Sequence, residues 1–175
     1  MVELLDSTHA SAYRALMLEA YAVHPEAFTS SVNERASLPL AWWEERLSTA
    51  ADAREAALGV LQDGDLVGAV GVAFDAREKA RHKALVFGMY VAQRFRRRGL
   101  ARRLIEAAIA QACARPHIRV LQLTVTEGNR AAQDLYEQCG FAVFGVEPYA
   151  VAVGSGYVSK VHMWCDLRVV PKGIS

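Results

Sequence analysis

The stretch YVAQRFRRRGLARRLIEAA, residues 90–108, packs six arginines into ten positions and then settles into an apolar pattern of helical period. Before it, KALVFGMYV (83–91) is almost wholly apolar, as a strand covered on both faces is. After it, Leu100, Leu104, Ile105, Ala108 and Ile109 share one helix face, which closes near Pro116. The arginines therefore sit where a buried strand hands over to a helix. The first amides of such a helix have no internal partners, and with the helix dipole they form an anion site. Gly99 lets a ligand approach the backbone, and Ala101 takes up little room. Arg94, Arg96, Arg97 and Arg98 can add charge-assisted contacts to phosphate oxygens. Arg102 and Arg103 fall off the apolar stripe and read as the wet face of the helix. The turn is neither a Walker A loop nor a dinucleotide fingerprint, so the phosphate belongs to another kind of ligand.

Outward from this turn, period and punctuation predict the remaining elements. AALGVLQ and LVGAVGVAF, within residues 56–74, are joined by Asp63-Gly64 and read as a hairpin. VELL (2–5) reads as a short first strand. Ala12, Leu16 and Ala20 repeat at helical spacing from Thr8 until Pro25 stops them. PEAFTSSVNERASLP (25–39) is polar and turn-rich, and a second helix is expected from Pro39 to about Leu47. Toward the C-terminus IRVLQLTV (118–125) alternates as a strand. The next helix runs from Asn129, its cap, to Gln138, with Gly140 as the left-handed exit. Phe141 to Val146 reads as a strand, a Gly-rich loop follows, and YVSKVHMWCDL (157–167) is the last strand. The order is β α α β β β α β α β β. Its central βαβ unit demands a parallel pair, and the hairpins make the rest antiparallel, so the expected class is α/β with a mixed sheet and flanking helices. No linker or repeat divides residues 1–175, and one domain is expected.

Composition narrows the function. A chain of 175 residues, 53% apolar, buries a substantial core, and its formal net charge of +1 gives no global field for nucleic acid. The basic run has no aromatic platform or recognition helix beside it, which argues further against nucleic acid. Cys113, Cys139 and Cys165 are scattered and odd in number, so free thiols in a reducing compartment are expected, with no zinc site or other metal centre. No run reaches the ~20 apolar residues of a membrane span, and MVELLDSTHAS does not read as a signal peptide. The expected location is cytoplasmic, without membrane partners.

Two motifs carry a family resemblance. Arg96-Arg97-Arg98-Gly99-Leu100-Ala101 resembles the R/Q-x-x-G-x-G/A turn of the GNAT superfamily of acyl-CoA-dependent N-acetyltransferases. LTVTEGNRAAQDLYEQCGF (123–141) resembles a second family segment, with Asn129, Ala132, Leu135, Tyr136, Gly140 and Phe141 in register. The resemblance implies the acyl-CoA N-acyltransferase fold, a mostly antiparallel sheet in which the parallel pair splays apart. Acetyl-CoA would be the cosubstrate. Backbone from about Arg94 to Ala101 would wrap its pyrophosphate, and its arm would lie in the gap and pair with Met89, Tyr90 and Val91. Asn129 would contact the arm, and Tyr136 would protonate the leaving thiolate as general acid. From the residues alone, Asn129 is a helix cap and Tyr136 a core aromatic beside Ala132, Leu135 and Cys139.

The implied reaction is direct attack of a primary amine, of a small molecule or a peptide, on the thioester. A thiol relay through Cys113 or Cys139 is rejected, because both lie on or near apolar helix faces. A base is less legible: Glu127 and Glu26 are candidates, with His82 or a water chain behind them. By resemblance the acceptor site draws on His24, Glu26, Phe28 and Ser31, with Trp42, Trp43, Glu147 and Tyr149, and the loop over residues 147–160 closes on it. Trp42 and Trp43 read equally well as packing. Similar sequences carry acidic residues before the last strand where this one has Ser159-Lys160. The alternative is a non-catalytic acyl-CoA-binding regulatory domain. The family also allows a homodimer, for which the sequence has no signal of its own.

Overall fold

The computed structural model describes residues 1–169. One seven-stranded sheet organises them, in the order β1-β2-β3-β4-β5-β7-β6. β1 (Val2–Leu4), β2 (Glu55–Gln62), β3 (Asp65–Phe74) and β4 (Lys83–Val91) form an antiparallel run. β5 (Val120–Thr126) lies parallel to β4, and β7 (Gly156–Asp166) and β6 (Ala142–Val153) continue antiparallel. The β2–β3 turn has positive φ at both Asp63 and Gly64, the geometry that suits the twist of two-residue hairpins.

Helices cover both faces of the first half of the sheet. α4 (Leu100–Cys113) lays Leu104, Ile105, Ala108 and Ala112 onto a core with Val70, Val72, Leu121 and Met163. α5 (Arg130–Gln138) closes the same side through Tyr136, with Cys139 just beyond its end. On the opposite face α1 (Ala10–Val23) and α3 (Leu40–Glu45) bury Tyr13, Met17 and Trp43 against Ala57, Ala69 and Tyr90. Among the described residues no helix is long and apolar enough to cross a membrane.

Two stretches depart from the reading of the sequence. The polar segment after Pro25 contains a short helix, α2 (Val32–Ala36), held by reciprocal bonds between Ser31 and Glu34. That serine-to-glutamate capping box was visible in the sequence as S-x-x-E. The stretch expected to be a loop after Val146 is strand: β6 continues to Val153 and turns tightly into β7. A register shift between Glu147 and Val151 takes up Pro148 and Tyr149, whose φ is 54°, so the strand passes over residues that disfavour pairing. No loop over residues 147–160 is present to close on a site.

Candidate active site

The parallel pair is short. β4 and β5 bond only through Lys83–Leu85 and Val120–Gln122, and beyond those residues the strands separate. A cavity of about 750 Å³ opens between them, lined by residues 85–91 of β4 and 123–126 of β5. A bulge against β3 spans this part of β4, with Gly88 at φ 60° inside it. From Val86 on, the edge of β4 that faces β5 has no ladder partner, so its polar groups open into the gap.

The arginine turn forms one end of the cavity. A short 3-10 turn (Gln93–Phe95) follows β4, Arg97 adopts φ 61°, and Gly99 caps α4 at φ 75° without a side-chain bond. Among the described residues no amide from Arg97 to Arg102 donates to a backbone carbonyl. These unpaired donors, the helix dipole and the guanidinium groups of Arg96, Arg97 and Arg102 suit a pyrophosphate, and the splayed strands suit an extended arm. The residues present thus fit acetyl-CoA.

The arginines divide their work. Arg96 Nε donates to Val91 O at 3.0 Å, and its Nη2 donates to His24 Nε2 at 2.8 Å. Because arginine only donates, His24 carries its proton on Nδ1, 3.3 Å from Glu26 Oε1. Arg97 and Arg102 line the cavity, and Arg102 also donates to Gln138 Oε1. Arg94 and Arg98 point elsewhere: both stack on Phe95, and Arg94 stands 3.8 Å from Asp65. Arg102, read from the sequence as wet surface, is therefore nearer the cavity than either.

Met89, Tyr90, Val91, Leu100, Ala101, Asn129 and Tyr136 all line the cavity. Asn129 Oδ1 accepts from Ala132 N at 3.2 Å and so caps α5, which leaves its amide nitrogen for the cavity. The Tyr136 ring is 8% exposed and stacks edge-on with Phe141, and its hydroxyl is not among the sealed unpartnered polar atoms. Burial, with a smaller contribution from Cys139, pushes its phenol up to about 12. The Tyr90 hydroxyl instead donates to Glu19 Oε1 at 2.8 Å.

Other candidates are separated. Glu26 and Phe28 line the cavity together with His24 and Trp42. Glu127 is exposed and bonded through its amide to Ser159 O, outside the lining. His82 is exposed before β4, where its carbonyl receives Arg119 and Val120. Tyr149 is 77% exposed and packs on Tyr157, and Glu147 bonds His162 at 2.7 Å; neither reaches the cavity. None of Cys113, Cys139 and Cys165 lines it, and burial raises all three thiols.

Lys160 takes a place the sequence did not suggest. It is the one buried charged side chain among the described residues, 6% exposed, at the cavity wall. Nζ donates to Glu26 O at 3.2 Å, Ala27 O at 2.9 Å and Thr126 Oγ1 at 3.1 Å, so β7 and β5 hold the segment after α1. Burial lowers its ammonium, opposed by Glu26 and Glu147. Together with Thr126 Oγ1, which itself donates to Glu26 O at 3.0 Å, Lys160 ties the segment that carries Glu26 and Phe28 beside the gap.

Similarity to known proteins follows the same geometry. The acetyltransferase (GNAT) family model matches residues 10–141. The L-amino acid N-acetyltransferase AaaT of Escherichia coli strain K12 is 30% identical over 122 residues, which cover 69% of this chain and 73% of that protein. A GNAT-family acetyltransferase structure from Streptococcus pneumoniae superposes with a TM-score of 0.82 at 25% identity, covering 94% of this chain and 96% of its own. The fold is shared with yncA of Salmonella typhimurium, a putative acetyltransferase solved with acetyl-CoA, at a TM-score of 0.78 and 18% identity over 99% of this chain and 98% of that one.

Proposed function

This chain belongs to the GNAT acetyltransferase family, whose reaction carries an acetyl group from acetyl-CoA to an amine, and we propose that its acceptor is the primary amine of a small molecule. The aromatic walls of the cavity at Phe28 and Trp42 support a small acceptor, and so does the likeness to a protein named for L-amino acids. The observation that carries the reading is the splay of β4 from β5, with unpaired amides at one end and a protonated phenol on the wall.

Acetyl-CoA supplies an activated thioester when bound. The amides from Arg97 to Arg102, with Arg96, Arg97 and Arg102, hold the pyrophosphate, and the open edge of β4 at Met89 to Val91 receives the arm. The Asn129 side-chain amide steadies the arm from the opposite wall. The Tyr136 hydroxyl gives its proton to the departing sulfur, and Glu26, oriented by the Nδ1 proton of His24, takes the proton released by the amine. Glu26 is preferred to Glu127 as the base because it lines the cavity. Two copies associate through the outer face of β6, where Val143, Phe144 and Val146 are exposed on an unpaired edge strand; light scattering of the purified protein reads this directly.

The test is thiol release from acetyl-CoA over a panel of small primary amines and peptides. Turnover with small amines and little with peptides is expected. Tight acetyl-CoA binding with no thiol released from any amine would leave a non-catalytic acyl-CoA-binding domain.

A further inference from the structure

The acceptor end of the cavity is built for an anion. Among the described residues Glu26 is the only carboxylate in its lining, against five arginines and Lys160. Most of these cations are committed: Arg96, Arg97 and Arg102 stand at the turn, and the three donors of Lys160 are used on Glu26 O, Ala27 O and Thr126 Oγ1. Two remain at the other end. The guanidinium carbons of Arg35 and Arg46 each lie 4.6 Å from the centre of the Trp42 ring, and Arg46 also lies 5.2 Å from the centre of Phe87. Arg46 is partly neutralised by Glu55 at 3.0 Å. Arg35 gives one bond to Ser30 Oγ at 2.8 Å and has no carboxylate within ion-pair distance among the described residues. A guanidinium has five donors in a rigid fork, so Arg35 retains several, and Trp42 holds its plane.

The placement gives direction. Phe87 precedes Val91 by four residues along β4, at most ~13 Å at strand rise, which the bulge at Gly88 shortens. The pair thus lies well up the strand from the turn that receives phosphate. An amine that is a net cation, such as a polyamine, meets repulsion here. An amine that also bears a carboxylate arrives as a zwitterion.

Resting on the acetyltransferase reading above, we propose that the acceptor carries a carboxylate, and that Arg35, braced with Arg46 on Trp42, receives it. The apolar body of such an acceptor would lie along Tyr21, Phe28 and Phe87, which line the same region.

Thiol release decides it with three L-amino acids (phenylalanine, leucine and methionine), each beside its carboxamide and its decarboxylated amine, and with spermidine. Rates are referred to the unprotonated fraction of each amine. For at least one set, the free acid is expected to show a KM about 10- to 100-fold below that of its amide and its decarboxylated amine, with kcat changed much less. Arg35→Leu should collapse that ratio toward one. Equal or better use of the amides, the decarboxylated amines or spermidine overturns the proposal, as does an Arg35→Leu enzyme that keeps the ratio. The wild-type ratio stands even where the variant fails to fold. Release with none of these amines or peptides, in a protein that binds acetyl-CoA, removes the catalytic reading and this one with it.

Discussion

Replacing Gly99 by aspartate separates the anion site from the rest of what the turn does. Gly99 caps α4 at φ 75° and ψ 2°, and a Cβ built on it meets no heavy atom within 4 Å. A side chain there enters open space, and its cost is the left-handed backbone, about 1–2 kcal/mol for a residue with a Cβ. Aspartate recovers about 0.5–1 kcal/mol of this as a negative charge at a helix N-terminus. The net loss of stability is therefore about 1 kcal/mol, a fall in Tm of about 2–4 °C for a chain of this length. Binding suffers more. At about 4–5 Å and an effective dielectric of about 20, each unit of phosphate charge repels the carboxylate by about 3–4 kcal/mol, which solvent at the mouth of the cavity roughly halves. From a single phosphate charge the loss is thus ~1.5–2 kcal/mol, which corresponds to about 10- to 30-fold weaker acetyl-CoA binding. Gly99→Ala carries the backbone strain without the charge and should stay within about threefold of wild type. Calorimetric titration of the three proteins with acetyl-CoA, beside their thermal melts, makes the comparison. A folded Gly99→Asp protein that binds as tightly as Gly99→Ala refutes the placement of the pyrophosphate at this turn.

Tyr136→Phe should lower kcat by about 100-fold or more while leaving acetyl-CoA affinity nearly unchanged. Because burial pushes the phenol up to about 12, Tyr136 stays protonated at pH 10 and imposes no alkaline limb on wild-type kcat below that; a limb near pH 9 that the Phe variant lacks would contradict this. The same shift, upward from 10.0 in the unfolded chain, means its contribution to stability is whole below pH 10 and fades toward pH 12, by about 1.4 kcal/mol per pH unit. Alkaline melts of the Phe variant should be less steep by that amount. Lys160→Met removes three donor bonds and should cost about 2–4 kcal/mol, or about 5–15 °C in Tm, and raise the acceptor KM more than the acetyl-CoA Kd; an unchanged melt counts against the tie. In Gly71→Ala the new Cβ would lie 2.3 Å from the Phe87 ring, which must move. The expected cost is about 1–3 kcal/mol, with a higher acceptor KM because Arg46 lies over that ring, and unaltered acetyl-CoA titration.

Much of the site was legible locally. The arginine turn, the buried strand before it and the apolar stripe after it are neighbours in sequence, and a strand-to-helix turn has few ways to fold. Asn129 as a cap and Tyr136 on the inner face of the next helix follow from spacing of the same short range. The resemblance added the ligand, but the unpaired donors could be expected without it. What failed locally was the stretch beyond Val146. Pro148, Gly154 and Gly156 signal a loop, yet pairing with β7 carries β6 past Pro148 by a register shift as far as Val153, and only Gly154 and Ser155 are left to the turn.

By itself, then, the sequence determined the order of elements, the short helix α2 aside, and an anion-binding turn, because periodicity, caps and turn residues act over a few residues. Tertiary structure decided how the cavity continues beyond that turn. Lys160 alternates onto the open face of β7 and would be solvated there, and only the approach of Glu26 and Ala27, over a hundred positions earlier, buries it and satisfies its charge. Arg35 and Arg46 come from the loop-and-helix segment between β1 and β2, where nothing local distinguishes them from surface arginines. They meet on Trp42 because α3 packs against α1 through the buried Trp43, and that packing, a long-range hydrophobic contact, turns two scattered charges into one site.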